Sequence, residues 1–209
     1  MERLWSKSER RALDRLDSPV AVQKMLDRMV YNTDPFVRTP RRVLKDRRAH
    51  CLDGALFAAA ALRRLRHPPL LLDLRAVRDD DHVLAVFRQR GRWGAVAKSN
   101  FVGLRYREPV YRSLRELAMS YFDVYYNSKG ERTLREFSLP LDLRRYDRCD
   151  WTVSEAGLAV VEDRIERLAH YRLLSPAMER ALNPVDDRSR RAGMLGADPK
   201  GLYRPGRGS

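Results

Sequence analysis

Cysteine is scarce in this chain: its 209 residues include two, Cys51 and Cys149. Two thiols without a CxxC pair exclude a disulfide framework and a thiolate metal cluster, so both are expected to be reduced. Histidine is almost as sparse, at His50, His67, His82 and His170. Glu116 and Asp123 share a helical segment, but no third ligand or histidine accompanies them, so neither metal nor cofactor is expected. Long apolar runs are missing as well; none approaches the ~18 residues of a membrane-spanning helix. Residues 1–15 are charged throughout and lack the apolar centre of a secretory leader. These absences together lead to the expectation of a cytoplasmic protein without a transmembrane segment.

Lysine is the fourth scarcity. Of 42 basic residues six are Lys and 36 are Arg, against 28 acidic residues, for a formal net charge of +14. Such a surplus attracts polyanions, and charge alone suggests nucleic acid or an acidic partner on a basic surface. The arginines are spread over every segment, and no nucleic-acid motif accompanies them. What the chain does have is 44% apolar residues, enough for a core in one domain of ordinary size. Its oligomeric state cannot be read from these quantities.

Hydrophobic spacing predicts amphipathic helices over residues 8–16 and 20–31, the second started by Ser18-Pro19, and a short helix from Pro40 to Leu44. Residues 52–65 are apolar nearly all round for three turns, which places that helix at the centre of the domain. Pro68-Pro69 ends it. Strands follow over 70–77, 82–89 and 92–99, the last two joined at Arg90-Gly91 as a hairpin. Leu114, Leu117, Ala118, Tyr121, Phe122 and Tyr125 recur at helical spacing as core, 133–139 reads as a strand, and Ser154 caps a helix running to 174. The expected domain covers 1–174, and 175–209, rich in Pro, Gly, Asp and Arg, is expected to be a basic, mobile tail.

The chemistry lies in one pairing. Cys51 opens the Ala-rich helix, where unpaired amides favour a thiolate, and a basic run from Arg38 to Arg48 precedes it. His82 opens a strand on the same face as Leu84 and Val86, and is the candidate base. A tight turn at Arg90-Gly91 sets His82 opposite Ser99, and a turn one residue longer sets it opposite Asn100. Asn100 is the preferred orienter of the ring, because its carbonyl oxygen accepts an imidazole N–H, with Ser99 as the alternative. Lys98 and Trp93 are candidate substrate-binding residues, Lys98 and the nearby arginines suggesting an acidic or phosphate-bearing substrate. His50 is set aside because adjacent helical residues do not face one another, and His67 and His170 because each is expected near a helix C-terminus.

The order of these features resembles the transglutaminase-like superfamily of papain-like thiol enzymes. The resemblance spans about 19–143 and rests on the helix from Val20, the lead-in Pro40-Arg41-Arg42-Val43-Leu44, Cys51 on its Ala-rich helix, the strand after Pro68-Pro69, His82, and Trp93 before Ser99-Asn100. It implies an α+β fold of the papain-like or transglutaminase-core kind, with the Cys-bearing helix packed on an antiparallel sheet and other helices flanking it. It also implies a thiol hydrolase or acyltransferase acting on a peptide or small-molecule amide or ester. Cys51 and His82 carry over directly. The third member of the family's triad is an Asp on the next strand, and this strand reads Trp93-Gly94-Ala95-Val96-Ala97-Lys98-Ser99-Asn100 without one. The segment Ala97-Lys98-Ser99-Asn100-Phe101-Val102-Gly103-Leu104-Arg105-Tyr106-Arg107-Glu108-Pro109, together with Ser120-Tyr121-Phe122 and Thr133-Leu134-Arg135-Glu136-Phe137, resembles an uncharacterised bacterial branch. A rival reading is a catalytically silent module that binds through its basic surface; another is acyl transfer like that of arylamine acetyltransferases, marked by a need for coenzyme A.

Overall fold

A computed structural model describes residues 4–204. In chain order the elements are α1 (Lys7–Asp14), α2 (Pro19–Asp27), β1 (Val30–Tyr31), α3 (Pro40–Asp46), β2 (Arg48–Ala49), α4 (Cys51–Arg64), β3 (Leu70–Ala76), β4 (His82–Gln89), β5 (Arg92–Val96), β6 (Arg107–Tyr111), α5 (Leu114–Met119), β7 (Leu134–Ser138), β8 (Leu141–Asp142), α6 (Glu155–Glu166), β9 (His170–Arg172), α7 (Pro176–Arg180) and α8 (Asp187–Gly193). Helix starts follow local chemistry. Ser18, Thr39, Ser113, Ser154 and Ser175 each accept a first-turn amide on a side-chain hydroxyl, and α2, α3 and α7 begin with proline, whose missing N–H costs nothing there.

The fold is α+β. Seven strands form an antiparallel sheet in the order β6-β5-β4-β3-β7-β9, with β8 also paired to β3, and β1 and β2 make a separate parallel pair. Strand alternation divides the core in two. Val83, Ala85 and Phe87 of β4 face α4, whose residues from Asp53 to Leu62 are all buried. Leu84 and Val86 face the other side, with Leu72, Leu74, Leu117, Tyr121 and Tyr125. Arg90 and Gly91, both at positive φ (49° and 77°), make the two-residue β4–β5 turn, and Gln89 pairs with Arg92.

Several elements differ from their sequence expectation. β5 stops at Val96, three residues short of 99, because α2 replaces its partner: Gln23 accepts the Ala97 N–H at 3.0 Å and donates to the Ala97 carbonyl at 2.9 Å. The helix through Leu114 ends at Met119, where the Ser120 hydroxyl bonds the Leu117 carbonyl at 2.6 Å, and the chain continues as a short 3-10 turn, Phe122–Val124. The helix from Ser154 ends at Glu166 rather than 174, and β9 follows, pairing with β7. The unexpected β6 contains Pro109 and lies at the sheet edge, where a missing N–H breaks no ladder.

The expected mobile tail is corrected over 175–204. Val185 donates to the Gly130 carbonyl at 2.9 Å, Val102 to that of Gly193 at 2.8 Å, and Tyr126 to that of Ser189 at 2.8 Å. Leu182 packs on the second core cluster. Residues 205–209 of that expectation lie outside the described residues. Among the described residues no helix is long and apolar enough to cross a membrane.

Candidate active site

Cys51 is the first residue of α4, and its neighbours fix that helix start. The His50 ring Nδ1 accepts the Leu52 N–H at 3.1 Å, and Asp53 accepts the His50 N–H at 3.1 Å, so the two make a reciprocal cap. Asp53 is wholly buried and also accepts from the Asn32 amide at 2.9 Å and the Arg38 N–H at 2.7 Å. The β1–β2 pair therefore enters α4 through a fixed polar knot. The Cys51 N–H meets no acceptor among the described residues, so it is a free donor at the helix mouth.

The thiol lies over the start of β4. Its Sγ is 3.8 Å from the Asp81 carbonyl, to which S–H donates, and the Val83 and Leu52 N–H groups point at the sulfur. Because β5 pairs no further than Ala85, the first residues of β4 have no partner on that side, which leaves Val83 free for this contact. Burial pushes the thiol up to about 12; the two amides oppose that, and Asp53 and Asp80 reinforce it.

His82 is 4% exposed and shares a face with Leu84 and Val86, as expected, but that face is the one turned away from α4. Its ring lies edge-on between Tyr121 and Tyr125, at centroid distances of 6.4 and 6.3 Å. Nε2 stands 2.9 Å from the Leu104 carbonyl, which only accepts, so Nε2 carries the hydrogen and Nδ1 holds a lone pair. No group among the described residues hydrogen-bonds Nδ1, Cys51 included. Burial holds the ring down at about 4; the Leu104 carbonyl opposes this and the Arg107 cation adds to it.

The orienter expectations are corrected. Asn100 bonds the backbone of Asp198, accepting its N–H at 2.8 Å and donating to its carbonyl at 2.9 Å. Ser99 accepts the Phe101 N–H at 3.0 Å. Neither holds His82, because β5 ends before the counted register reaches them, and the Leu104 carbonyl takes the place. Lys98 is corrected too: it is 6% exposed, and its ammonium donates to the Leu26 and Met29 carbonyls at 2.9 and 2.6 Å, closing the C-terminal end of α2. Trp93, on β5 with Arg88 above its ring, is not among the residues bordering the thiol.

Cys51 and His82 border one small pocket, about 40 Å³ in volume, that opens to solvent, together with Tyr31, Ser99, Asn100, Leu104, Tyr125 and Gly201. It is also acidic: Asp79, Asp80 and Asp81 line it, and among the described residues no Lys or Arg does. Burial lifts the Asp79 carboxyl to about 6. The acidic or phosphate-bearing substrate suggested by Lys98 finds no cation here. Tyr31 and Tyr125 carried no site signal apart from their place in the fold; Asp79, Asp80 and Asp81 are readable in the sequence as alternative orienters beside His82, and none of them hydrogen-bonds its ring; Leu104 acts through its backbone, which no side-chain pattern reports.

At rest the pair is a neutral thiol and a neutral imidazole. Burial disfavours the charged form of each group, raising the thiol and lowering the imidazole, so both directions favour the neutral pair. Among the described residues no cluster of three or more His, Cys, Asp or Glu could hold a metal ion. No protein-family model matches the chain, and a search of curated proteins found no match.

Proposed function

We propose that the chain is a transglutaminase-like cysteine hydrolase or acyltransferase that opens an amide or ester through Cys51 and His82. The observation that carries this reading is the His82 ring: Nε2–H is tied to the Leu104 carbonyl, Nδ1 has no hydrogen-bond partner among the described residues, and His82 borders the pocket that Cys51 also borders. A backbone carbonyl thus does the orienting work assigned elsewhere to Asn or Asp.

In the mechanism, Nδ1 takes the thiol proton as Sγ attacks the substrate carbonyl carbon. The Cys51 N–H stabilises the oxyanion, and His82 then gives its proton to the departing amine or alkoxide, leaving a thioester. Water or an amine attacks the thioester with its proton passing to Nδ1, and the proton returns to sulfur as the acyl group leaves. Proton transfer is concerted with attack, as the neutral resting pair requires. His82→Ala is expected to lower kcat/KM by about 10²–10⁴-fold, and Cys51→Ala to abolish turnover on every amide or ester substrate found. Intact turnover in Cys51→Ala sinks the proposal.

The direct test is the pH dependence of iodoacetamide labelling at Cys51, with Cys149 as reference and His82→Ala beside the wild type. Labelling faster than that of Cys149 and slowed by His82→Ala supports the pair. Labelling indistinguishable from Cys149 and indifferent to His82 favours the second reading, a silent binding module. That alternative draws on the missing Cys51–His82 hydrogen bond and the wide separation of their pKa values. If its partner is a polyanion held by the basic surface, binding weakens steeply with salt.

A further inference from the structure

One residue bordering the thiol pocket comes from the far end of the described chain. Gly201 reaches it along a fixed path. α8 is pressed so closely on Tyr126 that a Cβ at Gly193 would stand 1.8 Å from the phenol oxygen, and the Gly193 carbonyl accepts the Val102 N–H at 2.8 Å. Five residues on, Asn100 takes both main-chain groups of Asp198. Asp198 then closes a turn, accepting the Lys200 N–H at 2.9 Å on its carboxylate and the Gly201 N–H at 3.0 Å on its carbonyl. Gly201 ends against the ring of Tyr31, where a Cβ would stand 2.6 Å from Cε1 and 3.1 Å from the Asn100 amide nitrogen.

A side-chain amide that accepts the N–H and donates to the carbonyl of one residue reads peptide backbone, whatever side chain that residue bears. The space against Tyr31 adds a selection, because only a residue without Cβ approaches so near.

We infer that Asn100 is a main-chain receptor at the mouth of the Cys51 pocket, that the chain's own segment 197–201 occupies it, and that the site takes a glycine-containing polypeptide which this segment imitates and excludes. A catalytic role for that polypeptide rests on the proposed Cys51–His82 chemistry; the occupation of the receptor does not.

The test uses the full chain in a Cys51→Ala background, so that no outcome depends on thiol chemistry. A fluorescent peptide of residues 196–204, Gly-Ala-Asp-Pro-Lys-Gly-Leu-Tyr-Arg, is titrated against that protein, against Gly201→Val, which collides with Tyr31, and against Asp198→Pro, which removes the N–H bound by Asn100 at a half-buried position outside the core. Each added substitution is expected to tighten peptide binding at least about tenfold, a change of ~1.4 kcal/mol, and Asn100→Ala on top of Gly201→Val to cancel the gain. A peptide carrying Val in place of its glycine at 201 is expected not to bind. Equal binding to all proteins, or to none, overturns the inference. Failure of the thiol chemistry shows separately, as absence of turnover in proteins whose Cys51 is intact.

Discussion

His82 is a base kept neutral by its surroundings, and this has a measurable sign. Its pKa is about 4 in the fold against an ordinary 6.5, so between those values the unfolded chain binds a proton that the folded chain refuses. Stability from this ring is complete above pH 6.5 and is lost as pH falls toward 4, by about 3 kcal/mol in all. Asp73 and Asp79 act oppositely: burial lifts both to about 6, so the folded chain takes up their protons first and stability rises as pH falls from 6 toward the ordinary 3.8. The windows overlap, and the ring is isolated by comparison with His82→Gln. Urea midpoints at pH 7 and 4.5 are expected to show the wild type losing about 2 kcal/mol more than the variant. Asp80, exposed at the pocket rim, raises the thiol pKa, so Asp80→Asn is expected to speed iodoacetamide labelling of Cys51 a few-fold at pH 8, roughly the effect of one partly screened charge; slower labelling contradicts that assignment of the Asp80 charge. At this scale the places of Cys51 and His82 were legible, since a thiol at a helix start and a lone histidine at a strand start are both written in side chains. The acceptor for His82 was not, because a carbonyl belongs to every residue. Nor did alternation along β4 reveal which of its two faces α4 covers.

Elements were legible where propensity and tertiary demand agree, and not where a side chain from elsewhere intervenes. The apolar run of α4, the Pro68-Pro69 stop and the two-residue turn at Arg90-Gly91 depend on local sequence and emerge as expected. β5 was overestimated because Gln23, 74 positions away in sequence, substitutes for a strand partner at Ala97. The same crossing diverts Lys98, whose ammonium satisfies carbonyls at the end of α2. Lys98→Met is therefore expected to destabilise the fold by about 1–3 kcal/mol, the range for losing charged hydrogen bonds to buried acceptors, in chemical denaturation at pH 7. Unchanged stability indicates that the ammonium contributes nothing net. His170 is a further case: expected beside a helix end, it lies on β9 with its ring between the Leu168 carbonyl at 2.8 Å and Asp73 at 2.9 Å. The polar partner across the sheet, rather than helix propensity, decides the conformation there.

For the molecule as a whole, composition gave no sign of the contacts that hold residues 175–204. Segment 175–204 has little apolar periodicity and so reads as a tail, yet it is held by individual contacts: Gly193 on Tyr126, Val185 on Gly130, Asp198 on Asn100. Contacts of this kind leave no period in the sequence. Gly193→Ala, whose Cβ collides with the Tyr126 hydroxyl, is expected to release α8 and speed hydrogen exchange at the Val102 amide by at least about tenfold, while amides of β3 and β4 exchange unchanged. The sheet is complete once β9 is made, at residue 172, but the segment against Tyr31 follows about thirty residues later, roughly 2–6 s at ribosomal speeds of ~5–20 residues per second. A pocket that folded as soon as β9 was available would stand bare until that segment arrived. Any cellular electrophile or nascent chain nearby would then meet Cys51 on terms the finished molecule does not offer.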